Sequence, residues 1–229
     1  MAIPAAGFVH PLVDVARPLD VTVSDLYGTS GNTTGNIVHT SRNLGPLPAV
    51  GQKRIICVAA GFNLQSDNTP TIVIDGVEGA TVAAYETSDA ACAIYMREVN
   101  AGLTGNIGLN FGSSRGHNFA IYSILMDSWA NLEIEAKGAN FAPNTNYLNL
   151  PSKGGGFAIA VASGRGTNSY GAYGGLVQDI QTETYHSTFG YNSFSMIASD
   201  VMEAYETYGG YITTAHVDNG NSFCGVILR

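Results

Sequence analysis

The chain has 229 residues, 45% hydrophobic and only 12% charged, with 18 acidic against 10 basic side chains and a formal net charge of −8. That length can bury roughly 70–75% of the unfolded surface without disulfides or metal, and so apolar a composition excludes intrinsic disorder. The acidic balance opposes the phosphate backbone and excludes a basic nucleic-acid binder.

The first ten residues lack a basic region and a sustained apolar stretch, so the sequence predicts no secretory signal. No run of about 18 apolar residues predicts a membrane span. Pro4, Pro11 and Pro18 interrupt any helix or ladder near the start. The same segment carries Ile3, Phe8, Val9, Leu12, Val13, Val15 and Leu19, too many aliphatics for a solvated linker. They pack either on the body of the domain or on a neighbouring subunit. The sequence favours an assembly arm, because an extended proline-spaced segment loses little entropy on docking. The expected organisation is an extended arm over 1–30, then one β-sandwich domain over 31–229.

From about residue 36 the pattern is strand, turn, strand. Strands are expected over 53–60, 71–74, 80–85, 91–98, 105–111 and 118–126, and Asp75-Gly76 is a hairpin-turn pair. Leu132, Ile134 and Ala136 alternate with Glu133, Glu135 and Lys137, which predicts a half-buried strand with a charged face. Further strands are expected over 156–162, 174–180, 182–188, 193–198, 210–216 and 222–228. Ile197, Val201, Tyr205 and Tyr208 share one helical face, and Asp200 and Glu203 have capping-box spacing, so one short helix competes there with a strand. The fold class is all-β: a jelly-roll-like antiparallel sandwich with at most one short helix.

The chemical motifs have structural readings. Gly112-Ser113-Ser114-Arg115-Gly116 matches the pattern around a hydrolase nucleophile, but an elbow needs a helix after it. Strand-like alternation follows instead, which predicts a hairpin turn. Glu133 and Glu135 could form the acid and nucleophile of a retaining glycosidase, whereas plain alternation makes them a solvent-facing ladder with Lys137. Asp218-Asn219-Gly220-Asn221 lacks the further carboxylates of a calcium loop and reads as a hairpin turn. Cys57, Cys92 and Cys224 each sit in an apolar stretch and read as buried free thiols in a reducing compartment. The five histidines show no metal-ligand spacing and read as solvated or capping. Neither a metal nor a cofactor is expected.

Trp129, the single tryptophan, and the tyrosines of turns after residue 165, notably Tyr170 and Tyr173, are the materials of a sugar-stacking surface. They are equally the materials of a core or an interface. No Lys or Arg lies between Arg165 and Arg229, where six carboxylates do, so an acidic surface is expected there.

The strand-and-turn series 71–82, 93–96, 105–111, 120–125 and 155–162, from Thr71-Ile72-Val73-Ile74-Asp75-Gly76 to Ala158-Ile159-Ala160-Val161-Ala162, resembles a β-sandwich module of tailed-bacteriophage virion proteins. The resemblance spans about 53–229. It implies a structural, often tail-associated particle component and carries over no functional residue. Low charge agrees, since surface is expected to be buried between subunits.

The expected function is a non-enzymatic, oligomeric subunit on the virion surface, in the tail tip, baseplate, fibre or capsid decoration. Its partners would be copies of itself and other virion proteins, with synthesis in the host cytoplasm. The alternative is an attachment module binding host surface polysaccharide through Trp129, Tyr170 and Tyr173. A glycan depolymerase using Glu133 and Glu135 is the least expected.

Overall fold

The computed structural model describes residues 19–29, 33–64, 70–87, 90–140, 145–151, 156–166, 169–174, 176–186, 191–202, 207–214 and 222–229. Among them there is no helix, and every strand pairing is antiparallel. The chain is an all-β stack of sheets packed face to face, consistent with a β-sandwich.

The first sheet contains β1 (Asp20–Thr29), β2 (Thr33–Asn43), β3 (Gln52–Leu64), β4 (Thr71–Ile74), β5 (Val77–Glu78), β6 (Ala80–Glu86), β7 (Ala90–Glu98) and β8 (Thr104–Asp127). Its spine is β8. β2 and β4 both pair with residues 107–110 of β8 and so take opposite edges of its first half. β1 and β3 likewise flank its second half.

β8 doubles back on itself. Ile74 pairs with Ile107, while Arg97 pairs with Ile56, which pairs with Ser123. A straight strand would hold Ile107 and Ser123 about 50 Å apart at roughly 3.3 Å per residue. Yet Arg97 Nη1 donates to the carbonyls of Ile74 and Asp75, and Tyr95 Oη donates to the Pro70 carbonyl at 3.1 Å. The half-sheet of β2, β4, β5 and the start of β8 therefore lies over the half-sheet of β3, β7 and the end of β8. Register shifts at Thr34/Asn36 and Asn63/Leu64 fall beside the corner, where sheets of this kind bend through bulges.

This corner corrects the expectation at Gly112–Gly116. The segment ends no strand: it lies inside β8, and the ladder runs through it. The Asp75-Gly76 turn is present as expected, with φ of 49° and 80°. Positive φ at both central positions matches the twist of the flanking strands, and Gly76 adopts it without a Cβ penalty.

The second sheet has the order β13 (Val177–His186), β14 (Tyr191–Met202), β11 (Gly156–Gly166), β16 (Ser222–Leu228), β9 (Ile134–Asn140). The third is β10 (Thr145–Pro151), β15 (Thr207–Thr214), β12 (Ser169–Gly174). The third sheet touches β9, β16, β11 and β14.

Several expectations change here. The strands expected over 174–180 and 182–188 are one strand, β13, with a register shift at Gln178/Ile180 rather than a turn. The helix considered near 197–209 is replaced by β14 and β15; residues 203–206 lie outside the described residues. β15 and β16 belong to different sheets, and Asp218–Asn221 lie outside the described residues. Residues 20–29, expected with the arm, pair with β8 as β1. Ile3, Phe8, Val9, Leu12 and Val13 lie outside the described residues.

Two apolar cores share the layer of β3, β7 and the end of β8. Ile56, Val58, Ala60 and Phe62 point into the first core with Ala91, Ala93, Tyr95, Phe119 and Ile121, under Ile72, Ile74, Ile107 and Leu109. Cys57, Ala59, Cys92, Ile94, Ala120, Tyr122 and Ile124 point into the second, against Ile159, Val161, Ile197, Cys224, Val226 and Leu228. Two-sided burial is why 55–60 reads as an unbroken apolar run rather than an alternation.

Candidate assembly surface at the loop end

Three loops meet at one end of the first sheet: 44–51 between β2 and β3, 99–103 between β7 and β8, and 128–133 between β8 and β9. Arg54, fully buried at the start of β3, ties the first two of them together. Its Nε donates to the Val99 carbonyl at 2.7 Å, Nη1 to Gly45 and Pro46 at 3.1 and 3.2 Å, and Nη2 to Ala101 and Gly102 at 2.9 and 2.7 Å. A guanidinium has five N–H donors, and here each has a carbonyl. The Arg54 backbone adds to the tie, with its N–H on Asn100 Oδ1 and its carbonyl accepting from Val99 N–H. Burial lowers the pKa of Arg54, and the charge of Asp75 works in the opposite direction.

The three loops carry apolar side chains in solvent. Trp129 is 81% exposed and Val50 fully exposed, with Leu47 and Leu103 also exposed. Trp129 lies in a turn closed by Ala130 N–H on the Asp127 carbonyl at 3.0 Å. That turn is tied to the Val50 turn by Ser128 N–H on the Gly51 carbonyl at 2.8 Å. Hydrophobes on a rigid frame lose little conformational entropy on binding, which is what an interaction surface requires. β1 starts at the same end: Asp20 pairs with Leu125, four residues before Trp129.

The other expected binding residues are on different elements. Tyr170 and Tyr173 lie in β12 of the third sheet, so they are strand residues and not turn residues. Glu133 is exposed, and its backbone pairs reciprocally with Arg229 just before β9 begins. Glu135 lies in β9 and Lys137 is exposed. A shallow groove of about 240 Å³ on the outer face of the folded-over half-sheet is lined by Asn36, Val38, Val73, Asn106, Gly108 and Asn110, amides and aliphatics without a charge.

Sequence reasoning missed three buried polar arrangements. His39 Nε2 and His117 Nε2 are 3.1 Å apart, one on β2 and one on β8, bridging the two folded halves of the first sheet. Tyr27, Phe62, Phe111 and Phe119 surround them, and Arg42, paired with Asp25 at 2.6 Å, lies over the Tyr27 ring. His117 is therefore neither solvated nor capping. Burial, then the neighbouring His39, lowers its pKa to about 4. Burial, then Arg42, lowers that of His39.

Between the first and second sheets, Asn118 Nδ2 donates to the Ser195 carbonyl at 2.8 Å, Ser195 Oγ donates to Asn118 Oδ1 at 2.5 Å, and Ser163 Oγ donates to Ser195 Oγ at 2.9 Å. Beyond the same core, Tyr122 Oη donates to Asp179 Oδ2 at 2.7 Å. Burial raises the pKa of the Asp179 carboxyl against the lowering effect of that bond, and burial also raises the Tyr122 hydroxyl.

Cys57, Cys92 and Cys224 are buried free thiols of the second core. Burial raises the thiols of Cys57 and Cys224, which keeps both protonated and unreactive. Among the described residues no group of three or more His, Cys, Asp and Glu side chains is arranged to hold a metal ion. Compared with known protein families, curated proteins and solved structures, the chain matches none of them.

Proposed function

We propose that this chain is a structural subunit of a tailed-bacteriophage virion. It is an oligomeric β-sandwich on the particle surface, in the tail tip, baseplate, fibre or capsid decoration. It acts through contacts with copies of itself and other virion proteins, without a cofactor or a catalytic step. One observation carries the assembly role: exposed Trp129 and Val50 on turns that Gly51 and Ser128 stitch together, beside loops fixed by Arg54. Apolar side chains displayed on a rigid frame mark an interaction surface. The likeness of residues 53–229 to virion sandwich modules supplies the particle. Ile3, Phe8, Val9, Leu12 and Val13 form the assembly arm.

Immunogold labelling of intact particles with an antibody to this chain tests the reading. Label at the tail end or over the head supports it and assigns the position; particles without label overturn it. Trp129 favours a second reading, attachment to host surface polysaccharide, since an indole face in solvent stacks on sugar rings. Heat on titration with the polysaccharide, lost in Trp129→Ala, is its expected signature.

A further inference from the structure

We infer that the exposed apolar turns at the loop end are the docking surface for residues 1–18 of a second copy of this chain. The inference rests on the assembly-arm reading and names the surface that the arm occupies.

Two features on separate parts of the chain meet here. The first is the acceptor: Trp129 and Val50 stand in solvent on turns whose backbones are hydrogen-bonded to each other. An indole this exposed on an ordered turn is apolar area awaiting cover. The second is the donor. The chain before Leu19 comprises 18 residues, of which Ile3, Phe8, Val9, Leu12, Val13 and Val15 are large and apolar, with Asp14 and Arg17 as their only charges. Leu19 and Val21 pack against the second core and anchor the root of this segment. That root lies beside the acceptor turns, since Asp20 pairs with Leu125 two residues before the end of β8.

Donor root and acceptor side by side on one end make the surface self-complementary. Two copies meeting end to end about a two-fold axis would each offer turns to the other's arm, an isologous exchange that closes without leaving an open site. At about 3.3 Å per extended residue, 18 residues reach roughly 60 Å, ample for crossing to a neighbour. Pro4, Pro11 and Pro18 restrict the free segment and reduce the entropy lost on docking.

Trp129 is the only tryptophan, so its fluorescence reports this surface alone. The experiment compares acrylamide quenching in the full wild-type chain, in the F8D/L12D chain and in the V50D chain, with sedimentation velocity on the same samples. Expected is a several-fold rise in quenching in both variants, together with loss of the oligomer. Mixing the F8D/L12D chain with a W129F chain, which brings an intact arm and no indole, should restore protection of Trp129. Protection that persists on dilution to monomer and is not restored by mixing assigns the arm to its own chain and overturns the inference. Equal quenching in wild type and F8D/L12D also overturns it. In that case loss of the oligomer in F8D/L12D leaves the arm reading standing with another acceptor, and an unchanged oligomer removes the arm reading as well.

Discussion

Every N–H of the Arg54 guanidinium meets a backbone carbonyl. Lysine offers three donors from a point charge and cannot span two loops with a planar fork. Arg54→Lys should leave at least two buried carbonyls unpartnered and cost about 2–4 kcal/mol. Urea unfolding measures this, and an unchanged midpoint would show that the loops hold without the fork. His117 gives a pH signature. Its folded value of about 4 lies below the ordinary 6.5, so on acidification the unfolded chain takes up a proton that the folded chain refuses. The stabilisation is complete above pH 6.5 and is lost as pH falls toward 4. Between pH 7 and 5 the wild type should lose about 2 kcal/mol through this residue. His117→Phe, placed among Phe62, Phe111 and Phe119, should flatten that slope; an identical pH profile in the variant would sink the assignment. Neither residue's role was legible beforehand. Alternation tells which side chains share a face, but His39 and His117 are 78 positions apart and meet only because β8 folds over.

The elements were legible to different degrees for one physical reason, the number of covered faces. β4 and β16 match their expected limits, since turn residues bound each apolar run. β8 does not, because Gly, Ser and Ser signal a turn equally well whether the ladder stops or merely bends. The strip of one amide and two hydroxyls between the sheets was invisible for another reason: Asn118, Ser163 and Ser195 are common surface residues, and only the stacking of β3 and β8 on β11 and β14 makes them a buried set. Gly61 sits opposite this set in β3. A Cβ there would collide with Ser195 Oγ and Ser163 Oγ and approach Asn118 Oδ1 to 3.1 Å. Gly61→Ala should therefore destabilise by roughly 1–3 kcal/mol, although alanine normally stabilises an unstrained strand. Adding Ser195→Ala and Ser163→Ala removes the colliding oxygens and should recover part of the loss. A Gly61→Ala chain as stable as wild type in thermal unfolding would mean that the sheets can part at this point without cost.

For the whole molecule, the decisive feature is that one layer serves two cores. Residues of β3 alternate between them: Ile56, Val58 and Ala60 face the folded-over half-sheet, while Cys57 and Ala59 face the second sheet. The all-β class followed from short strands and turn residues, but the layering did not, because an apolar run buried on both faces carries no record of what covers each face. A shared layer also fixes how the sandwich should unfold. Losing either core exposes one face of β3, β7 and β8, and the remaining core cannot keep that layer out of water alone. Ile56→Ala in the first core and Ile94→Ala in the second should each cost about 2–5 kcal/mol. Each should shift one common transition, with amide protection in β8 and in β11 falling by the same free energy. If Ile94→Ala lowers protection in β11 while β2 and β4 keep theirs, the two cores unfold independently, and the folded-over half-sheet is a unit of its own.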